Sequence, residues 1–167
     1  MIRTAKAFAI AAHEACGQKR KYSGEPYWHH PNRVSSMVLV QGMRDECVAA
    51  AWLHDVVEDT EVGIDIIRGL FGGDVARLVS ELTTVSRPAD GNRATRKAID
   101  RAFLSKASAE AQTIKCFDIM DNMADIWEND PDFAERYSKE KIALLDVMTR
   151  ADPSARGAAY LECRRGL

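Results

Sequence analysis

An apolar stretch at residues 49–60 contains two pairs of residues whose side chains are of types that can bind metals or transfer protons. His54 and Glu58 are four residues apart, as are Asp55 and Asp59, so in a helix each pair lies on one face. His54 and Asp55 are separated by about 100° around a helix axis, which lets both side chains lean towards one centre. An imidazole beside carboxylates can bind a divalent metal, and a carboxylate one turn further can accept a proton.

The acidic residues of this stretch stand near a predicted helix C-terminus, because Thr60 and Gly63 are typical of a helix end. Carboxylates there face the negative end of the helix dipole, at a cost of roughly 0.3–1 kcal/mol each. A bound cation would offset that cost, and so would water at an exposed helix tip. The stretch alone therefore leaves open a metal site and a solvated acidic end.

Composition and length narrow the class of protein. The 167 residues are 46% hydrophobic and 29% charged with a net charge of −2, which is typical of a globular protein and gives no case for nucleic-acid binding. The four cysteines show no CxxC spacing, and no run of 18 apolar residues occurs. We expect one cytoplasmic domain over residues 1–167 that has no membrane or nucleic-acid partner, and a homo-oligomer is left open.

Helical spacing of apolar residues recurs along the chain, and no strand-like alternation of useful length is present. The predicted fold is all-α, a compact bundle of seven to nine helices. Asp45 and Ser108 are predicted N-caps. The predicted helices cover residues 3–16, 30–40, 45–59, 64–70, 75–84, 95–104, 109–127, 132–150 and 155–163.

A second polar group stands in a predicted buried helix. Asp118 has Ile114, Phe117 and Ile119 as apolar neighbours, and Asn122 follows four residues later on the same face. A buried carboxylate needs a compensating cation. Taken alone, this pattern is compatible equally with a salt bridge in the core and with a metal ligand.

Several motifs in the right order resemble the RelA/SpoT-type HD hydrolases, over roughly residues 5–125. They are Gly17-Gln18 with Arg20-Lys21, Gly24-Glu25-Pro26-Tyr27 with His30-Pro31, Ala51 to Thr60, Phe71-Gly72 to Thr83, Arg96-Lys97, and Ile114 to Asn122. The chain is too short for the synthetase and regulatory domains of that family. The resemblance therefore implies a stand-alone small alarmone hydrolase, like the metazoan SpoT homologues.

The resemblance implies a ligand set of His30, His54, Asp55 and Asp118 for one Mn²⁺ ion per chain. Two imidazoles and two carboxylates form a mixed nitrogen and oxygen set, which suits manganese better than a thiolate-binding metal. Glu58 and Asp59 match the family's pair that orients or deprotonates the attacking water, with Glu58 favoured as the direct base. His29 stands at a variable position and is not expected to bind the metal.

The substrate that the resemblance implies is (p)ppGpp, which is hydrolysed to GDP or GTP and pyrophosphate. Arg20 and Lys21 match the pair that contacts the base and phosphates, although Tyr22 is inserted and a count back from His30 places Lys21 at the arginine position. Asn122 matches a residue that contacts the ribose or a phosphate. Arg96 is expected to reach the 5′ phosphates together with Arg93 and Lys97, and Tyr137 is expected to support the nucleotide.

One departure from the family pattern bears on the choice of nucleotide. Where the family has a basic residue and then Leu-His-Asn or Leu-Tyr-Asn, this chain has Ile119-Met120-Asp121-Asn122. The loss of a cation and the gain of an acid leave (p)ppApp open as a substrate. A broader HD-type nucleotide phosphatase and a catalytically idle nucleotide-sensing module are open as well, although Glu58 and Asp59 count against the idle module.

Overall fold

The computed structural model describes residues 1–165, in which the chain forms two compact units. The first unit comprises Met1–Thr83, and the second begins at Thr84. The first unit contains six helical segments: α1 (Ile2–Ala15), α2 (His29–Val40), α3 (Asp45–Leu53), α4 (Val56–Asp59), α5 (Ile64–Phe71) and α6 (Gly73–Leu82). The second contains a 3-10 turn (Pro88–Asp90), α7 (Arg93–Leu104), α8 (Ala109–Asn129), α9 (Pro131–Val147) and α10 (Pro153–Arg164).

The prediction of an all-α fold is confirmed, since residues 1–165 contain helices and one isolated bridge between Lys19 and Pro26 but no strand. Counting α3 and α4 as one interrupted helix gives nine helices in that range, the upper end of the number expected. Most predicted bounds agree within two residues, but the helix predicted to reach residue 150 ends at Val147. A single domain over residues 1–167 stays a prediction.

The apolar stretch that precedes His54 is the buried centre of the first unit. In α3, every residue from Cys47 to Leu53 is buried, and the helix packs against α1, α2 and α6. Burial on all sides explains why its sequence is apolar all round. Asp45 was predicted as the N-cap, but it is the first helical residue, and Arg44 with extended backbone precedes it. In that position its carboxylate favours the positive end of the helix dipole.

The prediction of one continuous helix over residues 45–59 is wrong, because the helix is interrupted at His54 and Asp55. Nδ1 of His54 lies 2.8 Å from the carbonyl oxygen of Ala51, which an unbroken helix would use to accept the N–H of Asp55. Asp55 takes φ −97° and ψ −8°, in the sparsely populated bridge region. The single turn of α4 then begins at Val56.

The second unit is built around the long helix α8, which packs against α9 and α10. As predicted, the Ser108 side chain caps α8 by accepting a hydrogen bond from the N–H of Ala111. The buried Gln112 side chain donates to the carbonyl of Leu104 at 3.0 Å and accepts from the N–H of Arg150 at 2.9 Å. These bonds fix the start of α8 to the end of α7 and to the segment between α9 and α10.

The structure also shows the state of the cysteines and the character of the helices. Cys16, Cys47, Cys116 and Cys163 are all free thiols, and the last three are buried. Within residues 1–165, none of the helices combines the length and the apolar character that a membrane span requires.

Candidate active site

His30 is held at the start of α2 by the backbone that precedes it. Its N–H donates to the carbonyl of Tyr27 at 2.9 Å, and Pro31 occupies the first turn, where no helical donor is needed. The His30 side chain is completely buried. By contrast, the ring of His29 stacks on that of Trp28, with centroids 3.9 Å apart, and is not among the grouped metal-binding side chains.

His30, His54 and Asp55 bring three ligand atoms together in the first unit. The Nε2 atoms of His30 and His54 are 3.2 Å apart, and Oδ2 of Asp55 lies 3.0 Å from His54 Nε2 and 3.5 Å from His30 Nε2. They form a group of His and Asp side chains that could hold a metal ion. The helix break at Asp55 supports this arrangement, because it turns two consecutive side chains inwards.

The protonation state of His54 fits a metal ligand. A carbonyl oxygen only accepts, so the contact with Ala51 requires a proton on Nδ1 of His54 and leaves a lone pair on Nε2 of the neutral ring. Two nitrogen ligands about 2.1 Å from one ion, at right angles, would be about 3 Å apart. The measured separation of 3.2 Å is close to that value. The donor set therefore suits a divalent ion, which would compensate the carboxylate as well.

Tyr27 orients the carboxylate of Asp55. Its hydroxyl donates to Oδ2 of Asp55 at 2.6 Å, the same oxygen that faces both imidazoles. Burial alone would raise the pKa of Asp55, but positive charge on the His54 and His30 rings and their hydrogen bonds to the carboxylate outweigh it and hold that pKa well below its usual value. A bound divalent ion would supply that positive charge when both rings are neutral. Asp55 is thus a carboxylate near neutral pH, as a metal ligand must be.

Glu58 and Asp59 lie in the single turn of α4, and both are exposed. Their exposure agrees with the interpretation of a solvated helix end, and it also places them where a substrate water can reach. Oδ2 of Asp59 accepts a hydrogen bond of 2.8 Å from Nε2 of Gln18. Partial desolvation and the negative charges of Asp55 and Glu58 raise the pKa of Asp59, while the bond from Gln18 opposes that change.

The cationic loop that contains Arg20 and Lys21 is closed by backbone hydrogen bonds. The N–H of Arg20 donates to the carbonyl of Glu25 at 2.9 Å, and that of Gly24 donates to the carbonyl of Arg20 at 3.1 Å. The Arg20 side chain is buried. Lys21 is exposed, and its ammonium donates to the hydroxyl of Tyr22 at 3.0 Å. The two predicted substrate residues thus have different environments within one loop.

In the second unit, Asp118 is buried in α8 between two donors. Nζ of Lys115 lies 2.7 Å from its Oδ2, and Nδ2 of Asn122 donates to its Oδ1 at 2.7 Å. The core salt bridge considered from the sequence is therefore present. Asp118 as the fourth metal ligand and Asn122 as a nucleotide contact stay predictions.

The predicted phosphate-binding residues of α7 differ in how they are engaged. Arg93 forms a two-point ion pair with Glu140, at 2.7 Å and 2.8 Å, so its charge is neutralised. Nε of Arg96 is buried and has no hydrogen-bond partner among residues 1–165, which leaves a donor for an anion. Tyr137, in α9, lies against the ring of Phe133, with centroids 5.6 Å apart.

Sequence reasoning did not assign three side chains that the structure places beside the predicted site residues. Tyr27 bonds to Asp55, Gln18 bonds to Asp59, and Lys115 pairs with Asp118. Lys115 stands three residues before Asp118, a helical spacing that could have indicated the pair. The other two contacts join segments 28 and 41 residues apart, for which a single sequence holds no signal.

The family model described as HD domain matches residues 5–144. A relative in Drosophila melanogaster, the guanosine-3′,5′-bis(diphosphate) 3′-pyrophosphohydrolase MESH1, is 39% identical over 117 residues, which cover 68% of this chain and 64% of the fly protein. A relative in Synechocystis, a probable guanosine-3′,5′-bis(diphosphate) 3′-pyrophosphohydrolase, is 33% identical over 138 residues, 81% of this chain but 18% of that protein.

Among solved structures, a metazoan ortholog of SpoT that hydrolyses ppGpp superposes with a TM-score of 0.85 at 27% identity. The match covers 99% of this chain and 96% of the other. The chain thus spans less than two thirds of the fly and cyanobacterial relatives, but nearly the whole of this structural neighbour.

Proposed function

Because the chain belongs to the HD domain family, we propose that it is a metal-dependent hydrolase that removes the 3′-pyrophosphate of (p)ppGpp. The products are GDP or GTP and pyrophosphate. The observation that carries the proposal is the convergence of His30 Nε2, His54 Nε2 and Asp55 Oδ2, a donor set for a divalent ion. The names of the fly and cyanobacterial relatives, and the activity of the metazoan structural neighbour, support the choice of substrate.

His30, His54 and Asp55 would hold the ion, and we propose Asp118 as the fourth ligand. We assign one Mn²⁺ per chain, because two neutral imidazoles and two carboxylates suit a metal that accepts nitrogen and oxygen ligands alike. When bound, such an ion polarises a phosphoryl oxygen and lowers the pKa of a coordinated water. Tyr27 keeps the coordinating oxygen of Asp55 in place through its hydrogen bond.

In the proposed reaction, the oxygen of a water molecule bonds to the phosphorus attached to the 3′ oxygen, and the bond between that phosphorus and the 3′ oxygen breaks. Glu58 accepts the proton of the water, and Asp59 orients the water by a hydrogen bond. The 3′ oxygen takes up a proton from solvent and leaves as the ribose hydroxyl, while Glu58 returns its proton to solvent. Atoms and charge balance with one water consumed and one pyrophosphate released.

A substrate with several phosphates needs local cations, because the net charge of the chain is −2. We assign this role to Arg20 and Lys21 at one side of the nucleotide and to Arg96 at the 5′ phosphates. The buried Nε of Arg96, which has no partner in residues 1–165, supports that role. Asn122 and Tyr137 are proposed to contact the ribose and to support the nucleotide.

Met120 and Asp121 stand where the family pattern differs, so (p)ppApp is a second candidate substrate. A broader nucleotide phosphatase and an idle nucleotide sensor are competing functions for the same site. The four free thiols support a reducing compartment such as the cytoplasm.

One assay separates the hydrolase, the phosphatase and the sensor. The purified chain with Mn²⁺ is offered ppGpp, ppApp and nucleoside monophosphates, and the products are separated by ion-exchange chromatography. We expect pyrophosphate and the matching 5′-diphosphate. Release of orthophosphate from monophosphates alone would favour the broader phosphatase, and nucleotide binding with no product would favour the idle sensor. The proposed hydrolysis is rejected in either case.

A further inference from the structure

Gln18 is fixed by the backbone immediately after α1. Gly17 has a φ of +64°, and its N–H donates to the carbonyl of Glu14 at 2.9 Å, while the N–H of Gln18 donates to the carbonyl of His13 at 3.1 Å. These two bonds form a Schellman motif, which needs a left-handed residue where Gly17 stands. The carbonyl of Gln18 also accepts from the N–H of Tyr27 at 3.1 Å. Gln18 is therefore held from both sides before its side chain makes any contact.

The Gln18 side chain connects two ionisable groups in a defined orientation. Its Nε2 is 2.8 Å from Oδ2 of Asp59, and its Oε1 is 2.6 Å from Nδ1 of His13. A carboxylate can only accept, so the amide NH₂ must face Asp59 and the amide oxygen must face His13. His13 must then carry its proton on Nδ1. Asp59 thereby sets which way the amide points, and the Nδ1–H of His13 holds the amide oxygen in that orientation.

His13 has the burial that such a role requires. It is 1% exposed in α1, and its ring lies against that of Tyr27, with centroids 4.9 Å apart. Its Nε2 is buried and has no hydrogen-bond partner within residues 1–165. Burial lowers the pKa of His13, which keeps the ring neutral. A buried neutral ring whose Nδ1 faces Gln18 is suited to orient that amide.

We propose that Gln18, oriented by His13, is a positioning residue that fixes the carboxylate of Asp59 for the attacking water. The inference rests on the proposed hydrolysis, in which Asp59 orients that water. Of the two acidic residues of α4, Asp59 is the one to which the amide of Gln18 bonds, so the proposed positioning acts on the Asp59 carboxylate. The contact joins the end of α1 to the end of α4, which pack against each other.

The groups around Asp59 predict how loss of the Gln18 contact changes the pH dependence of kcat. Partial desolvation and the negative charges of Asp55 and Glu58 raise the pKa of Asp59, whereas the hydrogen bond from Gln18 lowers it. Loss of the Gln18 amide therefore raises the pKa of Asp59 further, and the acidic limb of the kcat profile moves to higher pH. A purely structural role for Gln18 would not move that limb.

Kinetics of the Gln18→Leu variant test the proposal. We expect kcat to fall about tenfold or more, KM for ppGpp to stay within about twofold, and metal content to be unchanged. Gln18→Glu places a second carboxylate beside Asp59 and should move the acidic limb further. Glu14→Gln, an exposed change in the last turn of α1, serves as the control and should behave as the unaltered protein. Unchanged kcat and an unchanged acidic limb in both Gln18 variants would overturn the proposal.

Nuclear magnetic resonance separates this inference from the proposed hydrolysis, since it needs no turnover. With diamagnetic Mg²⁺ in place of Mn²⁺, ¹⁵N spectra should show His13 protonated on Nδ1 only, and ¹³C carboxyl shifts report the titration of Asp59. In Gln18→Leu we expect the Asp59 midpoint to rise. If the full chain hydrolyses no alarmone but this midpoint rises, the proposed function alone fails. If the midpoint is the same in both proteins, the positioning role fails.

Discussion

The hydroxyl of Tyr27 donates to Oδ2 of Asp55 at 2.6 Å, and that oxygen is the one that faces both His30 and His54. Tyr27 thus fixes the direction of the only carboxylate in the three-residue group. The bond links the loop before α2 to the break between α3 and α4. The positions of the three grouped side chains, His30, His54 and Asp55, therefore depend on one loop and one interrupted helix.

Tyr27→Phe should weaken metal binding without removing the site. Loss of a hydrogen bond that orients a ligand typically lowers metal affinity or activity by about 10–100-fold. We expect the dissociation constant for Mn²⁺, measured by calorimetry, to rise in that range, and saturating Mn²⁺ to restore most of kcat. Tyr160→Phe removes another Tyr-to-Asp bond, to Asp146 in the second unit, and serves as the control. Equal affinity in Tyr27→Phe and the unaltered chain would contradict the role of Tyr27.

The neighbouring histidines at the start of α2 allow a matched comparison. His30→Ala removes one of the three grouped ligand atoms, so bound metal and turnover should both be lost. His29→Ala removes a ring that stacks on Trp28 and should retain both. His54→Ala should behave as His30→Ala does. Metal content by atomic emission and turnover of ppGpp are the measurements, and a metal-replete, active His54→Ala protein would refute the assignment.

Glu58→Gln should separate proton transfer from binding. The amide keeps the size of the side chain but cannot accept the proton of the water, so kcat should fall by about 10²–10⁴ while metal content and KM change little. Asp59→Asn is the companion variant, since it removes the charge that the Gln18 amide contacts. A smaller loss in Glu58→Gln than in Asp59→Asn would transfer the role of base to Asp59. Normal turnover in Glu58→Gln would exclude Glu58.

The helical elements were predictable because their signals are local. Apolar spacing located the helices, and Ser108, Pro131 and Asp152 stand at helix starts as their chemistry requires. The break at His54 was not predictable, since the apolar run continues through Val56 and Val57. It depends on the bond from the His54 ring to a backbone carbonyl, which competes with the helix only once the ring is buried.

In the candidate site, the proposed metal-binding side chains were predictable but the residues that contact them were not. The spacing of His54 and Asp55 and the resemblance to a family located three side chains that do lie together. The contacts of Tyr27 and Gln18 were missed because each joins segments far apart in sequence. The packing of the helices determines which group a polar side chain contacts. A single sequence therefore shows that a polar side chain is present but does not identify its partner.

The loop at residues 19–21 predicts a difference between its two proposed substrate residues. Lys21 is exposed, whereas Arg20 is buried, so only Lys21→Ala leaves the packing intact. Lys21→Ala should raise KM for ppGpp several-fold with unchanged thermal stability, because a lost phosphate contact is worth about 1 kcal/mol or more. Arg20→Ala should raise KM and lower the melting temperature. Lys19→Ala, an exposed cation in the same loop, is the control, and unchanged KM in both other variants would remove the loop from the site.

Lys141 is a buried cation in α9, with 9% of its surface exposed. Burial, reinforced by the positive charge of Lys115, lowers the pKa of Lys141 from the ordinary 10.5 to about 8. Asp118 and Glu140 oppose this change but do not cancel it. Because the folded pKa lies below the unfolded one, the unfolded chain binds more protons between pH 8 and 10.5, and folding stability rises across that window.

Lys141→Met should therefore stabilise the protein at pH 7 and have less effect at pH 10. The buried charge destabilises the folded state by about 3 kcal/mol at most, so removing it should raise the melting temperature by several degrees at pH 7. At pH 10 the lysine of the folded chain is already neutral, and the gain should shrink. Lys139→Met, which replaces an exposed lysine with 68% of its side chain in solvent, is the matched control and should change little at either pH. Thermal unfolding followed by circular dichroism checks the prediction. An equal gain at both pH values would show that the gain does not come from removing the charge, and a loss at pH 7 would show that the ammonium of Lys141 is stabilised by its surroundings.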